Sequence, residues 1–136
     1  MLENLPSGMA SAEHLLTFVD VTHMKLNFCF DAGHAHMMEG VENSFEMMKP
    51  RIRSVNLHDN DSRDDLHGYP QSGTIPWRKL MTRLRSLPGD VPLLLEVKER
   101  MDLAKPLDEI RRTFDALEAI KSLDPEEETE RSHRDV

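Results

Sequence analysis

The chain has 136 residues, 38% hydrophobic and 31% charged, which suits one globular core and leaves no room for a second. Asp and Glu outnumber Lys and Arg by 25 to 17, and the net charge of -8 argues against a nucleic-acid partner, whose phosphates it would repel. No apolar run reaches membrane-spanning length, residues 1–20 lack the pattern of a signal peptide, and the single Cys29 can form no intrachain disulfide, so a cytoplasmic protein with no membrane partner is expected.

In chain order, the apolar stub Met1-Leu2 is followed by Glu3, and "SAEHLLTFVDVT" (11–22) then spaces its apolar residues as a helix does. "KLNFCF" (25–30) has strand length and stops at Asp31, "NSFEMMKP" (43–50) returns to helical spacing, and "IRSVNL" (52–57) predicts another strand. "PWRKLMTRLRSL" (76–87) predicts a helix that opens on a proline and closes before Pro88-Gly89. "VPLLLEV" (91–97) is apolar without a break, as in a parallel strand buried on both faces. A last helix is expected from Pro106 to Leu123, with Leu107, Ile110, Phe114, Leu117 and Ile120 forming one stripe that covers the final strand. Residues 124–136 are charged and lack apolar anchors, so they are expected to be a disordered acidic tail beyond a domain spanning 1–123. Short strands alternating with helices predict an α/β fold with parallel strands and crossover helices.

In such folds reactive groups collect at the carboxyl ends of the strands. Four metal-ligand residue types sit at or near such ends: Glu3, Asp31, His58 and Glu96, at intervals of 28, 27 and 38 residues. Those intervals approximate one strand-helix-strand repeat, so neighbouring strands would bring three carboxylates and one imidazole to one rim. Packed carboxylates call for a compensating cation, and this donor mixture suits Mn, Mg, Co or Zn as a divalent ion. Plainer readings stand beside this one. Glu3 could be an exposed terminal residue, Asp31 a helix cap with His34 on the surface, His58-Asp59 a polar turn, Asp65 and His67 parts of a solvated loop, and His36 structural. Glu96 has the strongest case, because a carboxylate inside an apolar strand requires a partner. The methionine pairs 37–38 and 47–48 read as packing residues.

Four segments together resemble the xylose isomerase-like TIM barrels, a family that includes sugar phosphate isomerases and epimerases, ketose 3-epimerases and endonuclease IV: "LENLPSG" (2–8), "FDAGHAH" (30–36), "NLHDNDSRDDLHGYPQSGTIPW" (56–77) and "LLLEVKE" (93–99). The third carries His58-Asp59-Asn60, then Asp65-x-His67, Gly73 and Trp77, in the family's order. The resemblance implies one divalent metal on Glu3, Asp31, His58 and Glu96, with Glu3 and Glu96 also the catalytic acid/base pair. It further implies His34 and His67 in substrate binding, and a sugar or sugar phosphate isomerised or epimerised through a metal-stabilised enediolate. Endonuclease IV-like relatives, metal-dependent phosphodiesterases, would place His34, Asp65 and His67 in a multi-metal cluster; Asn56, where many relatives have a histidine, departs from that pattern.

A complete barrel of this type has eight strands and about 250 residues. The resemblance therefore covers the C-terminal half of the barrel, to be completed by a partner or an N-terminal half. Open parallel edges and an uncovered inner face invite association, so a homodimer is expected. A third possibility is a non-catalytic barrel remnant that serves assembly.

Overall fold

The computed structural model describes residues 1–100, 102 and 104–123; the acidic tail expected over 124–136 lies outside them. Four strands, β1 (Leu2–Glu3), β2 (Phe28–Asp31), β3 (Ile52–Leu57) and β4 (Leu93–Leu95), form one sheet in chain order, and every neighbouring pair is parallel. Parallel neighbours need a crossover. The connections supply α1 (Ala12–Thr22) after β1, α2 (Ala32–Met37) and α3 (Val41–Met48) after β2, and α4 (Trp77–Leu84) after β3, while α5 (Pro106–Ala119) follows β4. The result is the expected α/β architecture, a partial TIM barrel of four strands.

Alternation along β2 divides the sheet into two faces. Phe28 and Phe30 are fully buried on the helical side, where Phe30 meets Phe45 of α3 edge-to-face at 5.7 Å between ring centroids. Leu15 and Val19 of α1, Phe45 and Met48 of α3, and Leu80 and Leu84 of α4 complete that layer with Ile52, Val55 and Leu57 of β3. Burying each large side chain there contributes about 1.5–3 kcal/mol, which holds the helices against the strands. The opposite, concave face carries register partners on adjacent strands: Glu3 beside Cys29, and Asp31 beside Asn56 beside Leu94.

Several boundaries differ from those expected. β2 begins at Phe28, after Lys25-Leu26-Asn27, and includes Asp31. The additional short helix α2 starts on Asp31, whose Oδ1 accepts from the His34 backbone N–H at 2.8 Å. α3 starts two residues earlier than expected and ends in a 3-10 turn over Lys49–Arg51 that contains Pro50. β4 has only three residues and is not buried on both faces: Leu94 is 49% exposed, because it points to the uncovered concave side at an open edge. The stripe on α5 is also narrower than expected. Leu107 is 81% exposed and the buried positions are Thr113 and Leu117. The end of α5 is tied to α4, whose C-terminal Arg85 donates from Nη2 to the carbonyls of Leu117 and Glu118. Among the described residues no helix is long and apolar enough to cross a membrane.

Candidate active site

The site is built at the carboxyl ends of the strands, and the backbone there is fixed by side chains. Asn4, buried just past β1, donates from Nδ2 to the Asp31 carbonyl and accepts from the Asp31 N–H, both at 2.8 Å. Its amide thus adds one more rung to the β1–β2 ladder and holds Glu3 and Asp31 side by side. The Asn4 carbonyl in turn accepts from His34 Nδ1 at 2.9 Å. A carbonyl can only accept, so Nδ1 donates there and His34 Nε2 is the ring nitrogen left facing the site.

The segment from His58 to Trp77 is a long loop made rigid by Asp59. That fully buried carboxylate accepts from the Trp77 indole Nε1 at 2.6 Å, from the Ile75 N–H at 3.2 Å and from the Asn60 N–H at 2.9 Å. Asp59 and Gly68 also exchange two backbone hydrogen bonds of 2.8 Å, closing the loop on itself. Asn60 bridges to the preceding unit by donating to the Gly33 carbonyl at 2.8 Å. The return strand of the loop places Asp65 and His67 above His58. His67 takes a φ of 49°, a conformation that costs a non-glycine residue about 1–3 kcal/mol. Two bonds hold it there: Nδ1 to the Glu96 carbonyl, 2.9 Å, and its own carbonyl to the Lys98 N–H, 2.9 Å.

These constraints bring the imidazoles and carboxylates together. The rings of His58 and His67 stack at 4.0 Å, and His34 meets His58 edge-on at 5.1 Å. Asp65 approaches His67 Nε2 at 3.2 Å and His34 Nε2 at 3.5 Å. One ligand atom each from His34, His58, Asp65 and His67 lies within 4.8 Å of the others, and the same holds for Glu3, Asp31 and His34. His58 and Asp31 are fully buried, with His58 Nε2 3.0 Å from Asp31 Oδ1. Asp31 Oδ2 and both ring nitrogens of His58 are buried without a hydrogen-bond partner. Leaving such groups unpartnered costs about 1–3 kcal/mol apiece, more when charged. A buried carboxylate oxygen and an imidazole nitrogen on neighbouring side chains, neither with a hydrogen-bond partner, fit a divalent cation.

The fields in the site agree with that fit. Burial raises the Glu3 pKa, and the Asp31 and Glu96 carboxylates push it higher still. Burial alone would lower the His58 pKa, but Asp31, with Asp65 and Glu96 behind it, more than offsets this and raises it. The carboxylate contribution to both shifts, second to burial at Glu3, is negative charge that a cation would relieve.

Of the residues singled out in the sequence, Glu3 lies on a paired strand and is not a loose terminal residue. Asp31 serves as helix cap and site carboxylate at once, and His34 is 5% exposed, so it is not a surface residue. Asp65 and His67 leave the solvated-loop reading and join the cluster. Glu96 departs most from expectation. It follows the short strand β4, its side chain is exposed, and its carboxylate joins neither compact group, so the burial that made its case is not found. It is held at the rim by Asn56 Nδ2, which donates to Oε2 at 2.9 Å. His36 lies away from this group and contacts Thr74 Oγ1 at 2.8 Å. Asn4, Asn56 and Gly33 carry structural duties here that no ligand-type pattern in the sequence marks.

The family's sequence model, described as xylose isomerase-like TIM barrel, matches residues 1–123. The chain belongs to the xylose isomerase-like TIM barrel family. Among solved structures it is similar to a D-tagatose 3-epimerase-like protein, with a TM-score of 0.66 and 25% identity over 86% of this chain and 47% of that one. A candidate xylose isomerase from Rhodospirillum rubrum shares the fold at a TM-score of 0.56 and 19% identity, over 90% of this chain and 46% of that one. The chain thus spans about half the length of the solved relatives it matches. No curated protein matches it. The parallel strands account for the backbone of Glu3, Asp31, His58 and Glu96 lying at the same end of the sheet, since each follows or ends a strand running the same way.

Proposed function

We propose that this xylose isomerase-like chain is the C-terminal half of a metal-dependent sugar or sugar phosphate isomerase or epimerase. The observation that carries the reading is the buried Asp31–His58 pair, 3.0 Å apart at Oδ1, with Asp31 Oδ2 and the His58 ring nitrogens left without a hydrogen-bond partner and Glu3 and His34 beside them. The likeness to a D-tagatose 3-epimerase-like protein supports it. Asp31 and His58, with Glu3 and Glu96 from the flanking strands, would hold a divalent ion, Mn, Mg, Co or Zn. When bound, that ion supplies a Lewis acid for the carbonyl and neighbouring hydroxyl oxygens of a sugar.

The remaining work falls to the chain. Glu3, whose pKa burial raises above the usual carboxylate value, takes or returns the proton on the carbon beside the carbonyl. Glu96, exposed at the opposite end of the row of strands, performs the complementary transfer from the other side. His34 Nε2 and His67 Nε2, both fixed through Nδ1 to backbone carbonyls, bind and orient substrate hydroxyls. The test is metal content after dialysis against Mn²⁺ or Co²⁺, followed by epimerisation of a ketose panel with wild type, Glu3→Gln and Glu96→Gln. One ion per site and loss of turnover in both variants is the expected result. No bound ion would reduce the chain to the non-catalytic barrel remnant.

A second reading is favoured by one observation, the convergence of His34, His58, Asp65 and His67, which offers room for further ions in an endonuclease IV-like phosphodiesterase. The chain's net charge of -8 opposes it, and a count of three ions per chain with cleavage of abasic DNA would establish it. We further propose a homodimer. β1 and β4 are open edges, and beside β1 an apolar groove of about 480 Å³ is lined by Leu2, Met9, Leu15, Phe18 and Val21. Two copies joined β4 to β1 at both seams would form an eight-stranded ring, and light scattering showing a stable monomer would remove the proposal.

A further inference from the structure

Asn4 engages two partners, one with its side chain and one with its backbone. The side-chain amide brackets the Asp31 peptide, with Nδ2 donating to the Asp31 carbonyl and Oδ1 accepting the Asp31 N–H, both at 2.8 Å. With both amide atoms engaged and the residue buried, Asn4 cannot turn, and its own carbonyl stays 2.9 Å from His34 Nδ1. That nitrogen has two other acceptors close by. Asp31 Oδ1 lies 3.5 Å from it and Glu3 Oε1 3.6 Å. Each belongs to a carboxylate, which attracts a donor more strongly than a carbonyl does. A His34 N–H turned onto either one would occupy oxygen lone pairs that a metal ion needs and would swing the ring away from its present place.

We propose that Asn4 is a positioning residue that keeps the His34 Nδ1–H on a neutral carbonyl and off the carboxylates of Glu3 and Asp31. Resting on the reading of those two carboxylates as metal ligands, this gives Asn4 an effect on the ion that passes through His34. The bracket on Asp31 aims the carbonyl, the carbonyl holds the ring, and the ring's second nitrogen, Nε2, is left facing the site.

Two measurements on the full chain test this. In metal-free protein labelled with ¹⁵N-histidine, Asn4→Ala moves the His34 Nδ1–H resonance further than Glu3→Gln does, because the proton sits on the Asn4 carbonyl; an equal or larger shift on Glu3→Gln overturns the proposal. Should Asn4→Ala not fold, Asn4→Ser, which keeps one hydrogen-bonding atom on a shorter stem, takes its place. In a Co²⁺ titration followed by visible absorbance, the Asn4 substitution weakens binding about tenfold in the wild-type background. In the His34→Ala background it changes binding less than about twofold, since the ring it acts through is gone. An equal loss in both backgrounds means that Asn4 only pairs β1 with β2, and overturns the proposal. Failure of the wild-type chain to bind Co²⁺ would remove the metal reading instead, and the His34 resonance would still decide where the proton is held.

Discussion

The imidazole of His58 stands where a side chain at position 33 would have to go: a Cβ built on Gly33 overlaps the His58 ring. Gly33 lies in the first turn of α2, one unit before His58 in the chain, so the ring's place depends on that missing side chain. Gly33→Ala is expected to push the ring out of line with Asp31, destabilise the fold by about 1–3 kcal/mol through overpacking, and weaken Co²⁺ binding at least about tenfold. Urea unfolding and a cobalt titration read the two effects separately. Unchanged cobalt affinity would mean that His58 is not a ligand.

Asp31 joins two roles that one substitution can separate. Its Oδ1 caps α2 through the His34 N–H, while Oδ2 is buried with no hydrogen-bond partner. Asp31→Asn keeps an oxygen for the cap and removes the charge. Its circular dichroism should therefore match wild type, while its bound metal after dialysis drops below about a tenth of the wild-type content. Full metal retention in this variant would sink the assignment of Asp31 as a ligand.

The loop that carries Asp65 and His67 hangs on Asp59. Removing its carboxylate in Asp59→Ala leaves the buried Trp77 indole N–H and the Ile75 N–H without an acceptor, at a cost of about 2–4 kcal/mol in the urea midpoint analysis. Asp59→Asn retains one acceptor oxygen and should lose less. Trp77 is the only tryptophan, so its fluorescence reports the loop directly. A red-shifted emission is expected for the alanine variant before global unfolding.

Glu39 makes an acid-sensitive contribution to stability outside the site. Burial would raise its pKa, but the nearby Ser11 hydroxyl and hydrogen bonds from the Glu13 N–H and Ser44 Oγ outweigh that and lower it below the usual 4.5. A depressed folded pKa stabilises the protein above the unfolded value of 4.5 and loses that contribution as pH falls through the lower folded value. Glu39→Gln should therefore flatten the decline of the urea midpoint between neutral and acid pH. An identical decline in both proteins would deny Glu39 its role in tying α1 to α3.

The parallel α/β order, the helix expected over 11–22, the one expected over 76–87 that ends three residues early at Leu84, and the rim positions of Asp31 and His58 follow from local information, because side-chain period and turn residues act over a few neighbouring positions. The same locality explains the misjudgements. Glu96 reads as a buried carboxylate because its neighbours are apolar, yet burial requires something on the other side of the strand, and β4 lies at an open edge. Leu107 continues the apolar stripe of α5 by spacing alone and still stands in solvent. Asp65 and His67 look like members of a hydrophilic loop until Asp59 closes that loop onto Gly68 and Trp77.

What the sequence by itself determined is the set of donors and their order along the chain: carboxylates and imidazoles at intervals that match a repeating strand-helix unit. Only the tertiary structure decided which of them meet. A contact between residues about 30 positions apart depends on register, on Asn4 and Asn56 as brackets, and on the empty space at Gly33, none of which leaves a periodic trace in a linear string. Distance in space is set by packing across strands, whereas the chain records only separation along itself.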